Sequence, residues 1–205
     1  MKNSGQLIER LMPFVKQQLG DDPTGHGPQH ALRVAENARK LQAEEGGNLR
    51  IILAASLLHD CADHKLFDDT SAQCRLIADF LHQEGFTSEE TDAIDDIIRT
   101  ISFDKGKNPP LQSLEAEIVR DADRLDAIGA IGIIRTIAYG TARQRPFYNA
   151  SRPDDPDTTL AHFYDKLLLL KDLMHTASGR RLAEERHAFL TTFLDRFYQE
   201  TGIKR

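Results

Sequence analysis

An all-α fold is what this sequence predicts, on three observations. Apolar residues recur at helical spacing along nearly the whole chain. Val, Ile and Thr form no alternating runs between turns, so no strand pair emerges. The interruptions fall at short segments rich in Gly and Pro. With 205 residues, the chain is long enough to bury one sizeable core, and a single domain over 1–205 is expected.

The elements follow in order. Residues 4–19 read as an amphipathic helix with Leu7, Leu11, Phe14 and Val15 on one side and Pro13 inside it. DDPTGHGPQ is a loop, and Pro28 suits the first turn of a helix that stops at Gly46-Gly47. Further helices are expected over 48–62, 71–84, 88–102, 113–139, 158–175 and 180–200. Ser113 and Thr158 are candidate N-caps, and Gly85 is a candidate C-cap. The Arg-, Asp- and Pro-rich stretch 140–157 is the longest irregular piece, a lid or a solvated connector.

Composition narrows the function. A net charge of -6 argues against broad, nonspecific nucleic-acid binding. No apolar run approaches the roughly 20 residues of a membrane span. MKNSGQLIERLMPF has no signal-peptide apolar region, so a cytoplasmic location is expected. Cys61 and Cys74 fit neither a disulfide framework nor a zinc motif and are expected to pack as small buried side chains.

The segment SLLHDCADHK ends an apolar run in imidazoles and carboxylates, groups that are costly to desolvate unless paired or bound to a metal. A His-Asp dipeptide arises about once by chance in a chain of this composition, so its meaning rests on other residues. His59 and Asp63 are four apart and Asp60 and His64 four apart, which would place them on one side of a continuing helix. On the second helix His30, Arg33 and Asn37 share a stripe beside Val34, Ala38 and Leu41. The helix expected over 113–139 is apolar on most sides, the mark of a central element. Asp123 and Asp126 share a face there, whereas Asp121 sits about 200° from Asp123. Gly129 and Gly132 cost about 1 kcal/mol each relative to Ala, which implies close approach of a neighbouring helix or a ligand. Three helices that each bring His or Asp to the edge of the core imply a bound cation, since such a cluster unneutralised would cost several kcal/mol.

His30, His59, Asp60 and Asp123 make a mixed nitrogen and oxygen donor set without thiolates. It suits one divalent ion such as Mn²⁺, Fe²⁺, Co²⁺, Ni²⁺ or Zn²⁺ and disfavours a structural zinc or iron–sulfur site. Such an ion would lower the pKa of a water, align a phosphoryl group and offset developing charge. Asp63 is the candidate to accept the water's proton, and Asp126 to hold the water or a histidine. Lys65 could meet a phosphate as a point charge. His162 and Lys166 lie four apart and could bind a phosphate together. His82, near a helix end, is expected to lie at the surface, and His175 and His187 to be structural or solvated.

The order His30 … His59-Asp60 … Asp123 resembles the HD-domain superfamily of metal-dependent phosphohydrolases. GHGPQHALRVAENA, LLHDCADHK, TISF and above all EAEIVRDADRLDAIGAIGIIRT resemble the small stand-alone bacterial members, as do AHFYDKLLLLKDLM and the final helix. The resemblance implies one all-helical domain with core motifs at 26–126 and C-terminal helices at 158–200. It further implies a metal on the four residues above, Asp63 beside the water, and hydrolysis of phosphate esters or anhydrides. Nucleotides are the implied substrates, including cleavage of nucleoside triphosphates to monophosphate and pyrophosphate. The candidate substrate-binding set is His26, Arg33, His64, Lys65, His162 and Lys166. Gly27 follows His26 where relatives carry an acid. Dinuclear branches add histidines that IIRTISF lacks, so one metal is expected. A monomer or homodimer is expected, with a non-catalytic nucleotide- or metal-binding regulatory module as the alternative function.

Overall fold

In the computed structural model, residues 2–20, 25, 27–63, 66–101 and 110–203 are described. Every regular element among them is helical. The chain forms two compact units: Met1–Asp22 with His26–Asp123, and Pro23–Gly25 with Arg124–Arg205.

The first unit is built around its most apolar helix. It contains α1 (Lys2–Leu19), α2 (Pro28–Glu45), α3 (Leu49–Leu58), a 3₁₀ turn (His59–Ala62), α4 (Thr70–Gln83), α5 (Ser88–Ile101) and α6 (Leu114–Asp126) as far as Asp123. From Ile52 to Leu58 every residue of α3 is buried, so α3 is enclosed by α1, α2 and α5. Asn48 caps α3, its side-chain oxygen accepting from the amides of Arg50 and Ile51. Phe14 of α1 stacks on Phe80 of α4 with ring centroids 4.2 Å apart. The helix α1 runs through Pro13, and α2 begins at Pro28 and ends at Gly46, as its flanking residues predict. Cys61 and Cys74 are both buried, as expected.

Three contacts fix α6 inside this unit. The Glu115 carboxylate accepts from the Asn48 amide at 2.8 Å. The buried Arg120 donates to the Thr100 carbonyl near the end of α5. Asn37 of α2 donates to the Ala122 carbonyl at 3.2 Å. Its apolar stripe, Ile118, Val119, Ala122 and Leu125, is fully buried.

The second unit holds α7 (Gly129–Ala142), α8 (Ala161–Asp165), a 3₁₀ segment (Leu167–Leu173) and α9 (Ala177–Thr201). Phe147, Phe163, Phe193 and Phe197 pack together beside Tyr148 and Tyr198. Phe163 is the largest fully buried side chain. The stretch 140–157 is tied down internally. Thr159 and Leu160 amides donate to the carbonyls of Pro146 and Phe147, and the Asp155 carboxylate accepts from Asn149, Arg152 and the Asp157 amide.

Two helix expectations require correction. The helix expected over 113–139 is two, broken at Ala127–Ile128. Gly129 opens α7 with φ +76°, and a side chain on Gly132 would overlap the Ala127 carbonyl. These glycines therefore serve the break and not a continuous helix. The helix expected over 158–175 is a single short turn of α-helix followed by a 3₁₀ segment, because Lys166 leaves helical geometry at φ −139°.

Candidate metal centre

The four donors arrive on three elements. The imidazole of His30 comes from the first turn of α2, placed by Pro28. His59 and Asp60 open the 3₁₀ turn that closes α3, and Asp123 comes from α6. The Nε2 atoms of His30 and His59 are 3.2 Å apart. Asp60 spans both rings, with Oδ2 3.6 Å from His30 and Oδ1 3.3 Å from His59. Asp123 Oδ1 lies 3.3 Å from His30 Nε2 and 3.8 Å from His59 Nε2. Among the described residues, His30, His59 and Asp60 form a group whose donor atoms all lie within 4.8 Å of one another. Asp123 joins it through the two histidines.

The chemistry of the set fits a divalent cation. His59 Nδ1 lies 2.9 Å from the Ser56 carbonyl. A carbonyl only accepts, so Nδ1 carries a proton, and Nε2 is the nitrogen turned toward the other donors. Donors about 2.1 Å from a common ion stand about 3.0–3.4 Å apart for octahedral or tetrahedral arrangements, close to the spacings found. The side chains of His30, His59 and Asp60 are almost fully buried, whereas Asp123 is 27% exposed. A buried cluster of this kind, with nothing to balance the carboxylates, would be destabilising.

The other candidates distribute as follows. Asp63 is half-buried and follows the 3₁₀ turn in extended backbone, φ −70° and ψ 127°. The expectation that it sits one helical turn beyond His59 is therefore corrected: the tightening into 3₁₀ geometry ends the helix first. Arg33 is half-buried one turn after His30. His26, His64 and Lys65 lie outside the described residues. Within the second unit, Asp126 is buried and its Oδ2 accepts from Arg135 at 2.9 Å. Arg186 of α9 donates to the Leu125 carbonyl beside it. His162 and Lys166 are half-buried at the end of α8. Burial, and then the Lys166 and Arg145 charges, hold His162 below its ordinary pKa, with Asp165 opposing. Cys61, next to Asp60, has its thiol pushed far up by burial and by that carboxylate. His82 is exposed, as expected. The Ser56 carbonyl, the Arg135 partner of Asp126 and the Asn37 link to α6 escaped the sequence reading. Only Asn37 left a signal, an amide on a stripe bordering the core.

Comparison with known proteins agrees with this centre. The HD domain family model matches residues 28–128, which span all four donors. The Bacillus subtilis protein YpgQ is 40% identical over 189 residues, covering 91% of this chain and 89% of that protein. The crystal structure of an HD-superfamily hydrolase from Bacillus thuringiensis superposes with a TM-score of 0.81 at 39% identity, covering 98% of this chain and 100% of that one. That of B. subtilis YpgQ in complex with ADP gives 0.81 at 33%, covering 94% and 97%. The fold and the His-Asp centre thus define an HD domain, a class that binds divalent metal ions. This chain belongs to the HD-domain superfamily and is similar to bacterial proteins described as hydrolases of that superfamily.

Proposed function

We propose that the chain is a metal-dependent phosphohydrolase acting on a nucleotide, as a nucleoside triphosphate pyrophosphohydrolase or a phosphatase. The observation that carries this reading is the convergence of His30, His59, Asp60 and Asp123, with His59 Nδ1 bonded to the Ser56 carbonyl and Nε2 turned toward the other donors. The ADP held by YpgQ supports a nucleotide as the substrate class. When bound, a divalent ion supplies Lewis-acid polarisation of a phosphoryl oxygen and activation of water at neutral pH.

The protein's own groups divide the remaining work. Asp63, free of the helix, accepts the proton released by the attacking water. Asp126 acts as an orienting carboxylate, since a buried group already accepting from Arg135 is better placed to hold a guanidinium than to shuttle a proton. Arg33 and Lys65 supply positive charge for the phosphates, and His26 and His64 complete the proposed substrate contacts of the first unit. Within the second unit, His162 and Lys166 are proposed as a phosphate-binding pair, His162 with its pKa lowered by burial.

The test starts from purified protein stripped of metal and reloaded with Mn²⁺, Co²⁺ or Ni²⁺. It is offered nucleoside triphosphates, nucleoside monophosphates and simple phosphate esters. Turnover that disappears in His59→Ala and Asp123→Ala is expected. A folded, metal-loaded protein that turns over none of them overturns the enzymatic reading. Stabilisation by ADP without product would then mark a regulatory binding module.

A further inference from the structure

We infer that Asn37 is a positioning residue for the metal centre, setting the place of Asp123 through the backbone of α6. The inference rests on the metal-centre reading above and extends it to a residue outside the donor set. Asn37 is 6% exposed and lies seven residues after His30 on α2. Two helical turns separate them, about 10.5 Å along the axis. Its Nδ2 donates to the carbonyl of Ala122, 85 residues away and immediately before Asp123. A helical carbonyl has two lone pairs, so this bond adds to the helix's own ladder without breaking it.

The consequence follows from geometry. One helix then carries both a donor, His30, and the group that fixes the axial position and rotation of the helix carrying another donor, Asp123. Two other ties of α6 inside this unit, at Glu115 and Arg120, lie eight and three residues before Asp123. They hold the start and middle of the helix, and the Ala122 bond adds a tie at the residue next to the carboxylate. A slip of about 1 Å there is enough to take Asp123 Oδ1 out of reach of an ion shared with His30, since metal–ligand distances tolerate only about 0.2 Å.

The experiment compares the whole chain with Asn37→Leu and with Leu41→Val, a packing change one turn further along α2 that leaves the amide intact. Mn²⁺ affinity is measured by competition with a chelator, and the visible absorption of the Co²⁺-loaded proteins reports the ligand arrangement. Asn37→Leu is expected to weaken Mn²⁺ binding about tenfold, the low end for losing a group that orients a ligand, and to shift the Co²⁺ bands. Leu41→Val is expected to lower thermal stability and leave both metal readouts unchanged. Asn37→Ala carries the same expectation and serves if Asn37→Leu does not fold. A loss of Mn²⁺ affinity below threefold, or an equal loss in Leu41→Val, overturns the role of Asn37. Mn²⁺ binding that is absent from the wild type, or that survives in His59→Ala, overturns the metal-centre reading itself and the inference with it.

Discussion

His59 is held at both ring nitrogens, and the two contacts do different work. Nδ1 donates to the Ser56 carbonyl one turn back, which fixes the ring plane and the tautomer. Nε2 is left among His30, Asp60 and Asp123. Truncation in His59→Ala removes one donor and leaves His30, Asp60 and Asp123. The expected loss of Mn²⁺ affinity is at least about 100-fold, read by metal content after dialysis, because a ligand counts for more than the group orienting it. Asp63 makes a contrasting case. Its side chain hangs from extended backbone, and its main-chain carbonyl accepts from the amides of Leu66 and Phe67. Asp63→Ala is expected to keep Mn²⁺ affinity within severalfold and to lower turnover by about 10²–10⁴-fold, the usual worth of a positioned base. Parallel loss of metal and turnover would make Asp63 a ligand instead.

At the scale of elements, the boundaries that were legible were those written in single residues. Pro28 and Gly46 delimit α2, and the Ser113 hydroxyl accepts from the Ala116 amide at the start of α6; Thr158, in contrast, accepts from the Ala161 amide in a turn, and Leu160 holds the N-cap position of α8. The helical phase that separates Asp123 from Asp121 was legible too: Asp121 is fully buried, whereas Asp123 Oδ1 lies 3.3 Å from His30 Nε2. What escaped were changes of helix type and direction. Periodicity runs through Ala127–Ile128 unbroken, so only backbone sterics around Gly129 and Gly132 reveal the turn. Gly132→Ala is expected to cost about 1–3 kcal/mol through the clash with the Ala127 carbonyl, seen as a fall in thermal midpoint. The same substitution would be stabilising if the two segments were one straight helix. The tightening at His59–Ala62 was equally silent, and with it the departure of Asp63 from the helix face.

The short helix α8 yields a prediction with a definite sign. Burial holds the folded-state pKa of His162 below its unfolded value of 6.5. The folded protein therefore binds fewer protons at this site than the unfolded chain. The stabilisation is complete above pH 6.5 and is lost as pH falls from there through the folded-state pKa. His162→Gln is expected to flatten the decline of thermal midpoint between pH 7 and pH 5 relative to wild type. An unchanged slope would show that His162 titrates alike in both states.

For the whole molecule, the location of the donors decides where a metal should act. All four belong to the first compact unit and come from sequence positions 30 to 123, so an ion would tie α2, the 3₁₀ turn and α6 together inside that unit alone. Binding to the folded state only adds stability by mass action, about 2.7 kcal/mol at a metal concentration 100 times Kd. For a chain of this length that corresponds to a rise of about 5–10 °C in thermal midpoint. The rise is expected with Mn²⁺, reversed by a chelator and absent in His59→Ala. Amide hydrogen exchange supplies the spatial half of the test. Protection on adding metal should grow first in residues 28–37, 59–62 and 114–123, whose local opening releases a ligand, and least in α9. Protection rising uniformly across both units would mean that metal stabilises the fold globally, without a preference for the elements that carry the donors.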